Sequence, residues 1–124
     1  MKGMGVDVVD LDRFASVLER RPAIRARLFT EAEQAYCDLA KVAWKRAERY
    51  AARFAVKEAV HKALGAGIGS FKWHDVEVVR RESGAPVLSL VGMANVLAVE
   101  QDITRWHVSI THDRLVAVAV VVGE

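Results

Sequence analysis

From Ala51 to Leu64 the chain carries neither proline nor glycine, and it then meets the cluster Gly65-Ala66-Gly67-Ile68-Gly69. Alanine, lysine and glutamate favour helix and the glycines stop it, so this stretch predicts a helix over 51–64 around which the remaining elements must pack. Phe54, Glu58, His61, Lys62 and Gly65 recur at i, i+3 and i+4 and share one side of that helix. A simple core helix would show only apolar residues there, whereas this side carries an aromatic ring, a carboxylate and an ammonium. Taken alone, Glu58 and Lys62 have the spacing of a surface ion pair worth a few tenths of a kcal/mol.

The 124 residues are 52% hydrophobic, which suits one soluble domain with one core. The net charge of +2 is unevenly spread: residues 1–62 hold 13 Lys/Arg against 9 Asp/Glu, and residues 63–124 hold 5 against 7. A basic first half suits an acidic or phosphorylated partner more than a bulk polyanion. Cys37 is the single cysteine, so no internal disulfide or cysteine zinc site is expected and a reducing compartment fits. Asp7, Asp10 and Asp12 break the only early apolar run, and no apolar stretch reaches membrane-spanning length. These features predict a cytoplasmic protein.

Gly3 to Leu11 reads as a strand rich in β-branched residues, with Asp7 inside it. A carboxylate there either faces water from an edge strand or is paired, or ligates a metal. Asp10 and Asp12 suit the start of a helix over 12–19, and Pro22 interrupts it or opens a second short one. Arg13, Arg20, Arg21, Arg25 and Arg27 run along this region. Such a run is first a solvated face, although the guanidinium fork also suits carboxylate and phosphate. Thr30-Glu31-Ala32-Glu33 matches a capping box opening a helix that includes Ala35, Tyr36 and Leu39. Lys41 to Arg49 reads as a basic connection, with Trp44 as a packing anchor.

Strands are expected over 75–81 and 87–91 around the turn Glu82-Ser83-Gly84-Ala85-Pro86, then a helix over 92–101. Two further strands, 106–111 and 115–122, flank His112-Asp113-Arg114. The order predicts an α+β fold with mainly antiparallel pairing. In the strand over 106–111, His107, Ser109 and Thr111 share one face and Val108 and Ile110 the other. That polar row is an exposed face or a set of donors for a phosphate. No histidine spacing supports a zinc site.

Three stretches together resemble the holo-acyl-carrier-protein synthases, the short 4'-phosphopantetheinyl transferases. Gly5-Val6-Asp7-Val8-Val9-Asp10-Leu11-Asp12-Arg13-Phe14 is similar to that family's opening pattern. Arg53-Phe54-Ala55-Val56-Lys57-Glu58-Ala59, followed by Lys62-Ala63-Leu64-Gly65 and Gly67-Ile68-Gly69, resembles its central run. Trp106-His107-Val108-Ser109-Ile110-Thr111-His112 resembles its closing strand, and Gly84-Ala85-Pro86 stands where the family has a Gly-x-Pro turn. Residues 31–50 carry little of the pattern.

The resemblance implies a single 4'-phosphopantetheinyl transferase domain over 1–124, an antiparallel sheet packed with the long central helix. It implies Mg²⁺-dependent transfer of 4'-phosphopantetheine from coenzyme A to a serine of apo acyl carrier protein, releasing adenosine 3',5'-bisphosphate in fatty acid biosynthesis. Asp7 and Glu58 match the family's metal ligands, and Lys62 would stabilise the leaving phosphate. Glu58 or a water on the ion would take the serine proton, with Lys62 a rival. Coenzyme A would lie across Gly65 and Gly67, with Arg53, His107 and Thr111 on its phosphates and adenine. An acidic carrier would dock on Arg13, Arg20, Arg21, Arg25 and Arg27, and a homotrimer with interfacial sites is expected. A non-catalytic module that captures an acidic protein would use the same basic half. Nucleic acid fits poorly, because the arginines lack interleaved aromatics.

Overall fold

The structure is a computed structural model describing residues 1–124. Its axis is α4 (Ala43–Leu64), a helix of 22 residues whose buried side chains include Ala51, Ala52, Ala55, Val56, Ala59 and Val60. The sequence predicts its end correctly but its start eight residues late. Lys41 to Arg49 is mostly helix and not a connection, because nothing in it breaks a helix. The start is also unmarked, since Val42 at the cap offers no side-chain acceptor. Trp44 is 58% exposed and anchors no core.

The first strand, β1 (Gly3–Asp10), pairs antiparallel with β5 (Val116–Gly123), which pairs antiparallel with β4 (Trp106–His112). The sheet order is β1-β5-β4, so the valine- and alanine-rich β5 is central. One face packs on α4. At that contact Gly3 and Gly5 matter for what they lack: a Cβ on Gly5 would lie 1.9 Å from the Ala59 carbonyl oxygen, and one on Gly3 2.2 Å from that of Ala63. Small residues on both elements let backbone meet backbone.

The opposite face of this sheet has no cover. Met4, Val6 and Val8 are 60%, 53% and 60% exposed. Val6 stands across from Val120, and Val8 from Val118. His107, Ser109 and Thr111 border these valines on β4.

Asp10 caps α1 (Leu11–Arg20), its carboxylate accepting from the Arg13 N–H at 2.9 Å. Pro22 does open a second helix, α2 (Ala23–Leu28). The Thr30 capping box opens α3 (Glu31–Asp38), which stops short of Leu39. A separate hairpin joins β2 (Val76–Arg80) to β3 (Pro86–Leu90), and α5 (Gly92–Glu100) follows. The class is α+β with antiparallel pairing throughout. No helix is long and apolar enough to cross a membrane.

One buried ion pair joins three elements. Lys57 Nζ on α4 lies 2.8 Å from Glu33 Oε1, and neither side chain is exposed. The ammonium also donates to the carbonyls of Trp73 and Val76, while the Val78 N–H donates to Glu33 Oε2 at 2.9 Å. Glu33 also accepts from the Thr30 N–H at 2.9 Å, so the capping box and the core pair share one carboxylate. Burial lowers the Lys57 pKa and Glu33 opposes that shift.

Candidate active site

The close approach of β1 and α4 brings Asp7 to the carboxyl-terminal half of the helix. Asp7 is on an edge strand but turns inward, its side chain 16% exposed, and Lys62 Nζ lies 3.0 Å from its Oδ1. The same ammonium donates to the Val6 carbonyl at 2.9 Å. Lys62 thus pairs across to the strand as well as lying one turn from Glu58. The Glu58 pKa is raised, first by burial and then by the neighbouring Asp7 carboxylate. Two acidic groups and one ammonium therefore converge where a strand and a helix meet.

Below Glu58, on the same side of α4, runs a series of stacked rings. Phe54 stacks on Phe14 at 5.1 Å and meets Trp73 at 5.4 Å. His61 stacks on Phe71 at 4.0 Å and its Nδ1 meets the Lys57 carbonyl at 3.0 Å. These rings fix the helix face against solvent. Beyond them Gly65 ends α4 at φ +64°, the left-handed conformation that a glycine accepts without strain. A Cβ on either Gly65 or Gly67 would meet nothing within 4 Å, so both glycines border open space at the end of α4.

Arg53 belongs to a different place. A cavity of ≈ 220 Å³ is lined by Tyr36, Glu48, Arg49, Arg53, Arg80 and His112 among others. Arg53 is 5% exposed, and its Nε is buried without a hydrogen-bond partner. The three guanidinium carbons lie 4.3 Å (Arg49), 4.4 Å (Arg53) and 4.6 Å (Arg80) from the Tyr36 ring centroid. His112 Nδ1 is 3.1 Å from Glu48. At 100° per residue, Arg53 and Glu58 point about 140° apart around α4 and about 7.5 Å apart along it. One face of the helix is acidic with its own lysine, and the other is cationic with one carboxylate.

His107 and Thr111 are on the open face of the sheet, not with Asp7. His107 Nε2 reaches Glu124 at 3.2 Å. Arg13, Arg20, Arg21 and Arg27 are exposed and make no ion pair, whereas Arg25 is held 2.7 Å from Asp38 and near the Tyr50 hydroxyl. The cationic cavity escaped the sequence reading, although a signal exists. Lys45, Arg49, Arg53 and Lys57 repeat at i, i+4, an unfavourable series unless partners come from elsewhere.

No group of three or more acidic, histidine or cysteine side chains forms a closed metal cage. Asp7 and Glu58 supply two hard oxygen donors that repel one another. That donor set fits a Mg²⁺ ion completed by substrate phosphate and water.

The family model for the 4'-phosphopantetheinyl transferase superfamily matches residues 3–120. The holo-[acyl-carrier-protein] synthase of Frankia alni is 52% identical over 98% of this chain and 96% of its own. A structure of Helicobacter pylori holo-[acyl-carrier-protein] synthase in complex with coenzyme A matches with a TM-score of 0.83 at 28% identity, covering 98% of this chain and 99% of that one. The Bacillus anthracis holo-(acyl-carrier-protein) synthase in complex with CoA (3',5'-ADP) matches with a TM-score of 0.80 at 33% identity, covering 98% of this chain and 94% of that one.

Proposed function

Because the chain belongs to the 4'-phosphopantetheinyl transferase superfamily, among the holo-[acyl-carrier-protein] synthases, we propose that it moves 4'-phosphopantetheine from coenzyme A to a serine of an apo acyl carrier protein, with Mg²⁺, releasing adenosine 3',5'-bisphosphate. The observation that carries this reading is the meeting of Asp7, Glu58 and Lys62 between β1 and α4.

Asp7 and Glu58 would hold the Mg²⁺, which supplies neutralisation of charge on the pyrophosphate. Lys62, the only ammonium beside that pair, would follow the phosphate oxygens and stabilise the leaving bisphosphate. Glu58 would take the serine proton, whereas Lys62, as an ammonium paired with Asp7, has no lone pair to accept it. The open loop at Gly65 and Gly67 gives the coenzyme backbone-close access. Its remaining anion, the 3'-phosphate, needs a cationic receptor, and the Arg49, Arg53 and Arg80 cavity has that chemistry.

The two half-sites lie on different sides of α4, and the sheet face carrying His107 and Thr111 is open. Both features support a homotrimer in which this face is covered and one coenzyme touches two chains. Exposed, unpaired Arg13, Arg20, Arg21 and Arg27 suit an acidic carrier surface. Arg25 is better explained by its Asp38 partner. The single, buried Cys37 suits a cytoplasmic enzyme.

Intact-mass spectrometry tests the reading. Apo carrier protein incubated with this protein, coenzyme A and Mg²⁺ should gain ~340 Da, the mass of one phosphopantetheine, as metal-assisted phosphoryl transfer requires. The gain should vanish with EDTA and in Asp7→Ala. Coenzyme A binding without any mass gain would leave a binding module instead.

A further inference from the structure

The cationic cavity presents an electrostatic problem. Three guanidiniums crowd around one ring, and Glu48, the only carboxylate lining the space, is already matched with His112. Like charges at such range repel, so the group should splay into solvent unless something gathers it. Tyr36 is what they have in common. The negative face of its ring attracts all three cations. Its hydroxyl accepts from Arg80 at 2.6 Å, and its backbone carbonyl accepts from Arg49 at 2.8 Å. The arginines come from two elements, α4 and β2, and Tyr36 from a third, α3. Arg53 Nε, buried and unpaired, is a donor still waiting for an acceptor.

We infer that Tyr36 is a positioning residue: it assembles Arg49, Arg53 and Arg80 into a ready-made phosphomonoester receptor and so sets the preference for coenzyme A over its 3'-dephospho form. This rests on the coenzyme reading given above. The chemistry is that of pre-organisation. Cations held in place before binding lose little freedom when a dianion arrives, whereas free arginines must be ordered at that moment. Tyr36 need not touch the phosphate, and it takes no part in the transfer, which occurs on the other side of α4. Its loss should therefore weaken recognition of one phosphate and spare the chemistry.

Steady-state kinetics with coenzyme A and with 3'-dephospho-coenzyme A test this on the full chain. Tyr36→Leu should raise KM for coenzyme A about tenfold, the scale of three lost cation–π contacts at the weak end of their range. It should leave kcat, and KM for the dephospho form, unchanged. Tyr36→Phe, which keeps the ring but not the acceptor for Arg80, should show a smaller rise of the same kind. Should Tyr36→Leu fail to fold, as judged by its melting curve, Tyr36→Phe decides: an unchanged ratio of the two KM values overturns the inference. An equal rise for both substrates also overturns it, because that marks general damage. Arg80→Gln separates the two levels. If it raises the coenzyme A KM while the Tyr36 variants do not, the positioning role fails and the coenzyme reading stands. If neither change moves that KM, the cavity is not the coenzyme's and both fail.

Discussion

Glu58 sits half-buried beside a second carboxylate, a place that disfavours its charge. Burial and Asp7 raise its pKa in the metal-free chain, so folding favours the protonated form. Stability from this group is complete below the ordinary glutamate value of 4.5 and declines as pH rises through the raised folded value. Glu58→Gln should therefore melt higher than the parent at pH 7.5 in EDTA, lose that advantage below pH 4.5, and be inactive. A melting temperature equal to the parent's at both pH values would mean that the carboxylate is not strained. This trade between stability and function is common where charge is stored for substrate. At this scale the sequence was informative about which residues were awkward: Asp7 inside a valine strand asked for a partner. It could not say that Lys62, 55 positions away, was that partner. The cationic repeat through Arg49 and Arg53 hinted at outside partners, but Tyr36 and Arg80 were silent because their meeting with it depends on three elements packing together.

Among elements, α4 is held by the Lys57–Glu33 pair as much as by its alanines. Removing one member leaves the other charged and buried, at a cost of about 3–5 kcal/mol. Lys57→Met should fall by that amount in urea unfolding, since Glu33 would face the core with only the Thr30 and Val78 N–H groups. The double change Lys57→Met/Glu33→Gln should recover part of it, because the buried charge is gone, although the amide oxygen can accept from only one of the two N–H groups that reach separate carboxylate oxygens. A double variant as weak as the single one would show that the pair is specifically needed. The capping box was legible because Thr30 and Glu33 are three residues apart. The second role of Glu33 was not, since its partner lies 24 positions on. The late start assigned to α4 has the same origin: a helix that begins without a cap leaves no local mark, and its first turns are held by Arg46 donating to the Ala40 and Lys41 carbonyls and Arg49 to that of Tyr36.

For the whole molecule, the proposed trimer would tie the uncovered valine face to the two sides of α4. A chain that presents Met4, Val6 and Val8 to water has surface left to bury. The valine content of β1 and β5 showed that both were strands. Alternation alone could not reveal that the outward valines were as apolar as the inward residues. If that face joins copies, each α4 lends its acidic side to one active centre and its arginine side to another. Damage can then be repaired by company. Glu58→Gln, inactive alone, and Arg53→Gln, weakened alone in its use of coenzyme A, should exceed the activity of either at low coenzyme A when unfolded and refolded together, because a mixed ring contains one seam with both good halves. Adding Val6→Asp to both parents should remove the recovery by keeping the chains apart. If mixing restores nothing while Val6 is intact, each chain completes its own site. If mixing does restore activity, the heredity of such an enzyme reads differently: two faulty copies of the gene could make one working protein.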